Sequence, residues 1–161
     1  MMHIYSKIKD YFIEEETVTE LGSFAILWGM MEEELFGKFC TKAGIELKDF
    51  SGYLDLFEQA EAFRYEYLKY CDDYPSYNNK TPLERLRVDK EWVMRVDEWL
   101  VKGERNADFV KTAFYACFRI RNNLFHGEKV FYSLNSQRPM FMKINEFLER
   151  FIILGENKRY G

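Results

Sequence analysis

Residues 109–129, FVKTAFYACFRIRNNLFHGEK, decide the fold and carry the candidate chemistry. Their first part predicts a helix that continues to Phe125, because apolar residues recur at three- and four-residue spacing. These residues form two stripes, Phe109, Ala113, Ala116, Ile120 and Leu124 in the first and Val110, Phe114 and Cys117 in the second. Gly127 predicts the end of the helix. The stretch therefore predicts an amphipathic helix that finishes in a polar segment.

The polar segment combines a guanidinium, a carboxamide and an imidazole. Arg121 continues the second apolar stripe, and Tyr115, Arg119, Asn122 and His126 share the adjoining face. Arginine matches two phosphate oxygens with a rigid fork of donors, and histidine exchanges a proton near neutral pH. This set suits a phosphodiester. The alternative is that these side chains only cap the helix or complement its dipole.

The run Arg121–His126, RNNLFH, resembles the signature of HEPN domains (higher eukaryotes and prokaryotes nucleotide-binding). That signature is an arginine, four to six residues and a histidine, usually with a polar residue directly after the arginine. Here the spacer has four residues and Asn122 is the polar residue. The surrounding IRNNLFHGEK is most similar to the Apea-like branch. The resemblance implies an all-α bundle and, in many members, a metal-independent ribonuclease site shared by two subunits.

The resemblance assigns catalytic roles to three residues. His126 would act as general acid or base, Arg121 would hold the phosphoryl oxygens and Asn122 would orient the reacting groups. Arg119 also fits the signature, with six residues before His126, but Ile120 follows it, so Arg121 is preferred. Many toxin members carry a tyrosine two residues after the histidine, where this chain has glutamate.

Four further residues are expected around this site. Arg119, Lys129 and Tyr115 are expected to contact substrate. Glu32 lies one helical turn from both Trp28 and Leu35 and is expected to orient Arg121 or Arg119; the alternative is that it belongs to a solvated acidic patch. No metal or other cofactor is expected, because the nucleophile would be the substrate's own 2′-hydroxyl and the two histidines are too few for a metal centre.

Composition predicts one all-α domain over residues 1–161, with 47% hydrophobic and 18% aromatic residues. The three cysteines are predicted to be buried free thiols. The net charge of −4 disfavours indiscriminate nucleic-acid binding. Residues 1–104 hold 13 Lys+Arg against 22 Asp+Glu, whereas residues 105–161 hold 10 against 5. The basic excess therefore surrounds the motif.

The remaining pattern predicts an up-and-down bundle of about five helices. One long helix is predicted over residues 14–43, with Gly22, Gly29 and Gly37 inside it, either for close helix approach or tolerated through burial. Others are predicted over 52–71, over 81–102 as one helix or a pair, and from 138 to a stop at Gly155. Thr81, Pro82 and Glu84 predict a capped helix start.

Two functions follow. The first is a metal-independent endoribonuclease of HEPN type, with a toxin or phage-defence role as one expectation. The second is a non-catalytic HEPN-like module that binds nucleotide or RNA or mediates dimerisation. Expected partners are RNA, a second copy with the motif helix near the interface, and an antitoxin-like protein. No apolar run is long enough to span a bilayer, so a cytoplasmic location is expected.

Overall fold

The structure, a computed structural model, describes residues 13–75, 78–125 and 134–160. Every regular element within these ranges is a helix, which confirms the predicted all-α class. The α-helices are α1 Glu15–Met31, α2 Lys42–Leu47, α3 Phe57–Asp73, α4 Pro82–Arg85, α5 Val93–Val96, α6 Phe109–Phe125 and α7 Arg138–Tyr160. Short 3₁₀ turns precede α3, α5 and α7, and π turns follow α1 and α5.

One hydrophobic core joins these helices, and its centre is aromatic. The ring of Phe114 on α6 lies 5.7 Å from Trp28, 5.6 Å from Phe50 and 5.0 Å from Phe151, measured between centroids. Helix α7 packs chiefly against α1 and α3. Large rings therefore fill the space between α6 and the helices around it, and offset aromatic pairs add to the apolar burial.

Helix α6 follows its prediction closely. It begins at Phe109 and reaches Phe125, as the apolar spacing indicates. Both predicted stripes are buried, except that Leu124 is half-buried at the end of its stripe. Gly127, the predicted stop, lies outside the described residues. Apart from half-buried Lys111 and Arg119, the body of α6 is thus a core element, and its last turn approaches the surface.

The prediction of one long helix over residues 14–43 is wrong. Helix α1 ends at Met31 and passes into a π turn, Glu32–Phe36. Gly37 then adopts a left-handed conformation with φ of 65°, which glycine reaches without a steric penalty. Helix α2 starts afresh after Thr41, whose hydroxyl accepts a hydrogen bond from the Gly44 amide at 3.0 Å. The chain therefore reverses direction inside the segment that was predicted to be straight.

The glycines of α1 and α7 also differ from expectation. A Cβ atom added at Gly22 or Gly29 would contact nothing within 4 Å, and both residues are exposed. Neither close helix approach nor burial explains them. Gly155, the predicted stop, lies inside α7, which continues to Tyr160. A Cβ there would lie 2.3 Å from Cδ2 of Leu35, so this glycine provides the close approach.

The segment 81–102 forms two separate helical pieces. The capping box of Thr81 and Glu84 is confirmed, with both reciprocal hydrogen bonds present. Arg87 has φ of 56°, a conformation that interrupts a right-handed helix, and α4 has already ended at Arg85. Helix α5 and its π turn follow, and Gly103 is left-handed at φ of 64°. The predicted buried free thiols are confirmed at Cys40, Cys71 and Cys117.

Candidate functional site

Arg121 is the polar residue of α6 that faces α1. Its guanidinium carbon lies 5.8 Å from the centroid of the Trp28 ring, within the range of a cation–π contact. Its Nη1 atom donates a hydrogen bond of 3.3 Å to Oδ1 of Asn122. The structure therefore brings together two of the three predicted catalytic residues and adds an aromatic surface beside the guanidinium.

Glu32 is the first residue of the π turn after α1. Its Oε2 atom accepts a hydrogen bond of 2.7 Å from the backbone amide of Cys40, which the reversal at Gly37 brings back to it. This bond occupies one oxygen of the carboxylate. The irregular end of α1 thus places Glu32 within hydrogen-bond distance of a backbone amide eight residues further along the chain.

The thiol of Cys40 is near the charges of both Glu32 and Arg121. Burial, followed by the negative charge of Glu32, raises the pKa of the Cys40 thiol to about 12, and the positive charge of Arg121 partly opposes the shift. The thiol is therefore neutral at physiological pH and is a poor nucleophile. The Cys40 side chain is buried in the hydrophobic core.

Arg121 and Glu32 line one small recess, which we call the Arg121 recess. Its volume is about 100 Å³, and its lining residues are Phe24, Ala25, Trp28, Gly29, Glu32 and Arg121. Ala25 and Gly29 are exposed, so the recess opens to solvent along α1. Glu32, predicted to orient the arginine, therefore shares a solvent-accessible recess with Arg121.

Arg119 points to a different part of the molecule. Its Nε donates to the carbonyl of Leu86 at 3.3 Å, and its Nη2 donates to Oδ1 of Asn123 at 3.4 Å. The amide nitrogen of Asn123 also donates to the Leu86 carbonyl, at 3.1 Å. Arg119 and Asn123 together satisfy a carbonyl just after α4. The two arginines of the motif thus face different neighbours, and only Arg121 lines the recess.

Tyr115, expected to contact substrate, has a relative exposure of 0%. Its hydroxyl donates to Oδ2 of Asp89 at 2.5 Å and accepts from the Asp89 amide at 2.8 Å. Its ring stacks on Trp92 with centroids 4.1 Å apart. Burial, followed by the bond to the Asp89 carboxylate, raises the pKa of Tyr115 well above its usual value. Contact with RNA would require this side chain to leave the core.

Two expected site residues lie outside the described part of the chain. These are His126, the predicted acid–base group, and Lys129, a predicted substrate contact. Helix α6 ends at Phe125, the residue directly before His126. Their roles stay predictions from the sequence.

Sequence reasoning missed the contacts that Trp28 and Asn123 make with the two arginines. Nothing in the sequence near Trp28 indicates that an arginine from α6 would lie over its ring. Asn123 did carry a signal, since it follows Arg119 by four residues and the two side chains share one helix face. A hydrogen bond between Arg119 and Asn123, expected from this spacing, would have predicted that Arg119 and Arg121 face different neighbours.

The chemistry available at the recess is that of an anion-binding site with a fixed carboxylate. The guanidinium of Arg121 offers a planar set of donors, and Asn122 is bonded to it. Within residues 13–75, 78–125 and 134–160, no group of three or more His, Cys, Asp or Glu side chains is arranged to hold a metal ion. A guanidinium is a group suited to contact a phosphate, and in this recess it lies beside the carboxylate of Glu32.

No helix in the described ranges is both long enough and apolar enough to cross a bilayer. Comparison of the chain with protein-family models, with characterised proteins and with solved structures finds no match. The site therefore has to be interpreted from its own residues.

Proposed function

We propose that this chain is a metal-independent endoribonuclease of HEPN type. The observation that supports the proposal most strongly is the Arg121 recess: Arg121, bonded to Asn122 and lying over Trp28, lines a solvent-open recess with Glu32. The signature continues through Phe125, the last residue of α6, to His126. An arginine fixed in this way provides the phosphate contact that the resemblance expects.

In the proposed reaction, the 2′-oxygen of one nucleotide forms a bond to the adjacent phosphorus while the bond from phosphorus to the 5′-oxygen breaks. His126 accepts the proton of the 2′-hydroxyl or donates one to the departing 5′-oxygen. Arg121 stabilises the charge that builds on the phosphoryl oxygens, and Asn122 and Glu32 keep its donors oriented. The products are a 2′,3′-cyclic phosphate and a 5′-hydroxyl.

We propose that two copies assemble with the ends of their α6 helices close together. The residues from Phe109 to Cys117 are buried within one copy, apart from half-buried Lys111, so they are not available to an interface. Arg121, Asn122 and Leu124 are half-buried and leave the last turn accessible. A site shared by two copies would therefore be built from this turn and the residues that follow it.

The proposal is tested by incubating purified protein with mixed RNA in excess chelator and analysing the new ends. Wild type is expected to generate 2′,3′-cyclic phosphates, and His126→Ala is expected to be about 10²–10⁴-fold slower. Arg150→Ala, which removes an exposed arginine on α7, is a matched control and should cleave like wild type. Equal cleavage by wild type and His126→Ala, or no cleavage by either, would remove the catalytic proposal.

The second candidate is a binding module that holds a nucleotide or RNA without cleaving it. It is favoured by the enclosed positions of Tyr115 and Arg119, which leave Arg121 and Asn122 as the described motif residues beside the recess. RNA binding by wild type without any cleavage, weakened by Arg121→Ala, would identify this function instead.

We further propose a reducing, cytoplasmic location and a role as a toxin or defence ribonuclease restrained by an antitoxin-like protein. The location is supported by the three buried free thiols at Cys40, Cys71 and Cys117, since such thiols are typical of reducing compartments. Growth arrest upon expression of wild type but not of His126→Ala would support the toxin role, and unaffected growth would contradict it.

A further inference from the structure

A groove with an unusual combination of groups runs between α1 and α7, on a part of the surface separate from the Arg121 recess. We call it the α1–α7 groove. Its volume is about 420 Å³, and it is lined by Glu20, Ser23, Ile26, Leu27, Met142, Asn145, Glu146 and Glu149. A neighbouring hollow of about 540 Å³ shares Glu20 and Met142 and adds Glu14, Glu16 and Arg138.

The polar atoms of the groove are mainly hydrogen-bond acceptors. Three of its side chains are carboxylates, from Glu20, Glu146 and Glu149. Asn145 has a relative exposure of 7%; its amide nitrogen donates to the carbonyl oxygen of Glu20 at 3.0 Å and to Oε2 of Glu20 at 2.8 Å. Its Oδ1 atom is buried and accepts no hydrogen bond from the described residues. A buried acceptor without a donor is unfavourable, so Asn145 is a polar side chain of the groove wall with one unsatisfied atom.

Among the residues that the structure describes, two cations lie near the groove, and both are already paired. Nζ of Lys143 lies 3.4 Å from Oε2 of Glu146, in an exposed pair of the kind that contributes little. Nη1 of Arg138 lies 3.0 Å from Oε2 of Glu14, in the neighbouring hollow. Glu146 and Glu149 are exposed, and Glu20 is half-buried. The carboxylates therefore make this face negative and attractive to a positively charged ligand.

Apolar side chains contribute the rest of the groove. Ile26 is 66% exposed and Met142 is 43% exposed, although both are large hydrophobic residues, and Leu27 lies half-buried beside them. An amphipathic helix that lies in a groove uses its apolar stripe to cover such residues. A helix that complements this groove would therefore have an apolar stripe flanked by hydrogen-bond donors.

We propose that the α1–α7 groove binds an amphipathic, basic helix of another protein. The apolar stripe of that helix covers Ile26 and Met142, and its Lys and Arg side chains pair with Glu146, Glu149 and Glu20. The proposal is independent of the proposed ribonuclease activity, because it uses no residue of the Arg121 recess.

The test uses synthetic peptides of about 18 residues, a length that matches α1. The probe peptide has leucines at helical spacing flanked by lysine and arginine. The first control peptide has the same composition in scrambled order, without an apolar face, and the second replaces the basic residues with glutamate. Binding is measured by fluorescence anisotropy at low and at physiological salt. The scrambled peptide is essential, because a chain of net charge −4 attracts any basic peptide weakly.

Two protein variants locate the binding site. Glu146→Gln with Glu149→Gln removes two groove carboxylates, and Glu58→Gln with Glu104→Gln removes two exposed carboxylates elsewhere. The proposal expects the first variant to bind the probe peptide about tenfold more weakly and the second to bind like wild type. Ile26→Ser, which changes an exposed residue, is also expected to weaken binding.

Thermal melting of each variant verifies that it is folded. This check is needed because a variant that unfolds would lose binding whether or not its substituted residues contact the peptide. The proposal is overturned if the scrambled peptide binds as well as the probe peptide, if both double variants weaken binding equally, or if the probe peptide does not bind. Retained binding of the probe peptide by Arg121→Ala would show that the groove acts separately from the recess, whereas its loss in that variant would contradict the stated location.

Discussion

The guanidinium of Arg121 lies over the indole of Trp28, with 5.8 Å between the guanidinium carbon and the ring centroid. A cation–π contact of this kind contributes about 0.5–2 kcal/mol and also restricts the direction of the donors. Trp28 itself is held in the core by stacking on Phe114, with centroids 5.7 Å apart. The position of the proposed phosphate-binding arginine therefore depends on the aromatic core.

Replacing Arg121 with lysine distinguishes the effect of its positive charge from the effect of its planar arrangement of donors. Lysine keeps the positive charge but loses the planar fork of donors, so we expect Arg121→Lys to cleave RNA at least about tenfold more slowly. Its melting temperature should change little, because the residue is half-buried at the end of a helix. Cleavage rates and thermal melts of the purified variant provide the measurement.

Arg119→Lys is the matched comparison. It removes donors from the Leu86 carbonyl and the Asn123 amide, so we expect it to lower the free energy of unfolding by about 0.5–1.5 kcal/mol and to leave the cleavage rate of the folded protein nearly unchanged. If Arg119→Lys lost cleavage while Arg121→Lys kept it, the assignment of the motif arginine would have to be reversed.

Glu32→Gln tests the carboxylate that shares the recess with Arg121. Glutamine retains an oxygen that can accept from the Cys40 amide but removes the negative charge. If the charge orients Arg121, we expect kcat to fall about tenfold while KM stays constant or decreases, because removing a negative charge does not weaken RNA binding. Steady-state kinetics of Glu32→Gln and of the exposed neighbour Glu33→Gln measure this. Equal kinetics for the two variants would rule out an orienting role.

Tyr115→Phe distinguishes a packing role from a substrate contact. The substitution removes the donor to the Asp89 carboxylate and the acceptor of the Asp89 amide, so the free energy of unfolding should fall by about 1–3 kcal/mol. RNA cleavage by the folded variant should match wild type, because the residue is buried. Urea denaturation measures the free energy of unfolding, and cleavage assays measure kcat and KM. A large rise in KM without loss of stability would indicate that Tyr115 contacts the substrate.

The contribution of the buried Cys40 thiol to the free energy of unfolding should depend on pH in the alkaline range. Its folded pKa of about 12 is raised above the unfolded value near 9, so its contribution is complete below pH 9 and is lost as the pH rises toward 12. The stability difference between wild type and Cys40→Ala should therefore shrink by about 2 kcal/mol between pH 8 and pH 10.5. Urea denaturation under reducing conditions at both pH values measures it. Other groups that titrate in this range cancel in the comparison, and an unchanged difference would contradict the burial of the thiol.

The parts of the fold that depend on local spacing could be predicted from the sequence. The stripes of α6 and its extent to Phe125 follow from helical periodicity, and the capping box of Thr81 and Glu84 follows from four adjacent residues. These signals need no knowledge of distant parts of the chain. They predict the candidate helix and the order of the polar residues along it.

The parts that depend on the tertiary arrangement could not be predicted. The π turn that follows α1 ends at Gly37 in a left-handed conformation, yet the sequence pattern places this glycine inside a helix, because periodicity alone does not distinguish a tolerated glycine from a terminating one. The reversal that follows brings the Cys40 amide to Glu32. The contact of Arg121 with Trp28 joins residues 93 positions apart, so no local pattern indicates it.

The most direct test of the central claim uses one RNA oligonucleotide that wild type cleaves and a second copy with a single 2′-deoxynucleotide at the cleaved position. Both are incubated with wild type in excess chelator, and the products are resolved by mass. The account predicts that the first yields a 2′,3′-cyclic phosphate and that the single deoxy substitution abolishes cleavage at that position. Cleavage of both oligonucleotides at the same rate, or loss of all activity in chelator, would contradict it.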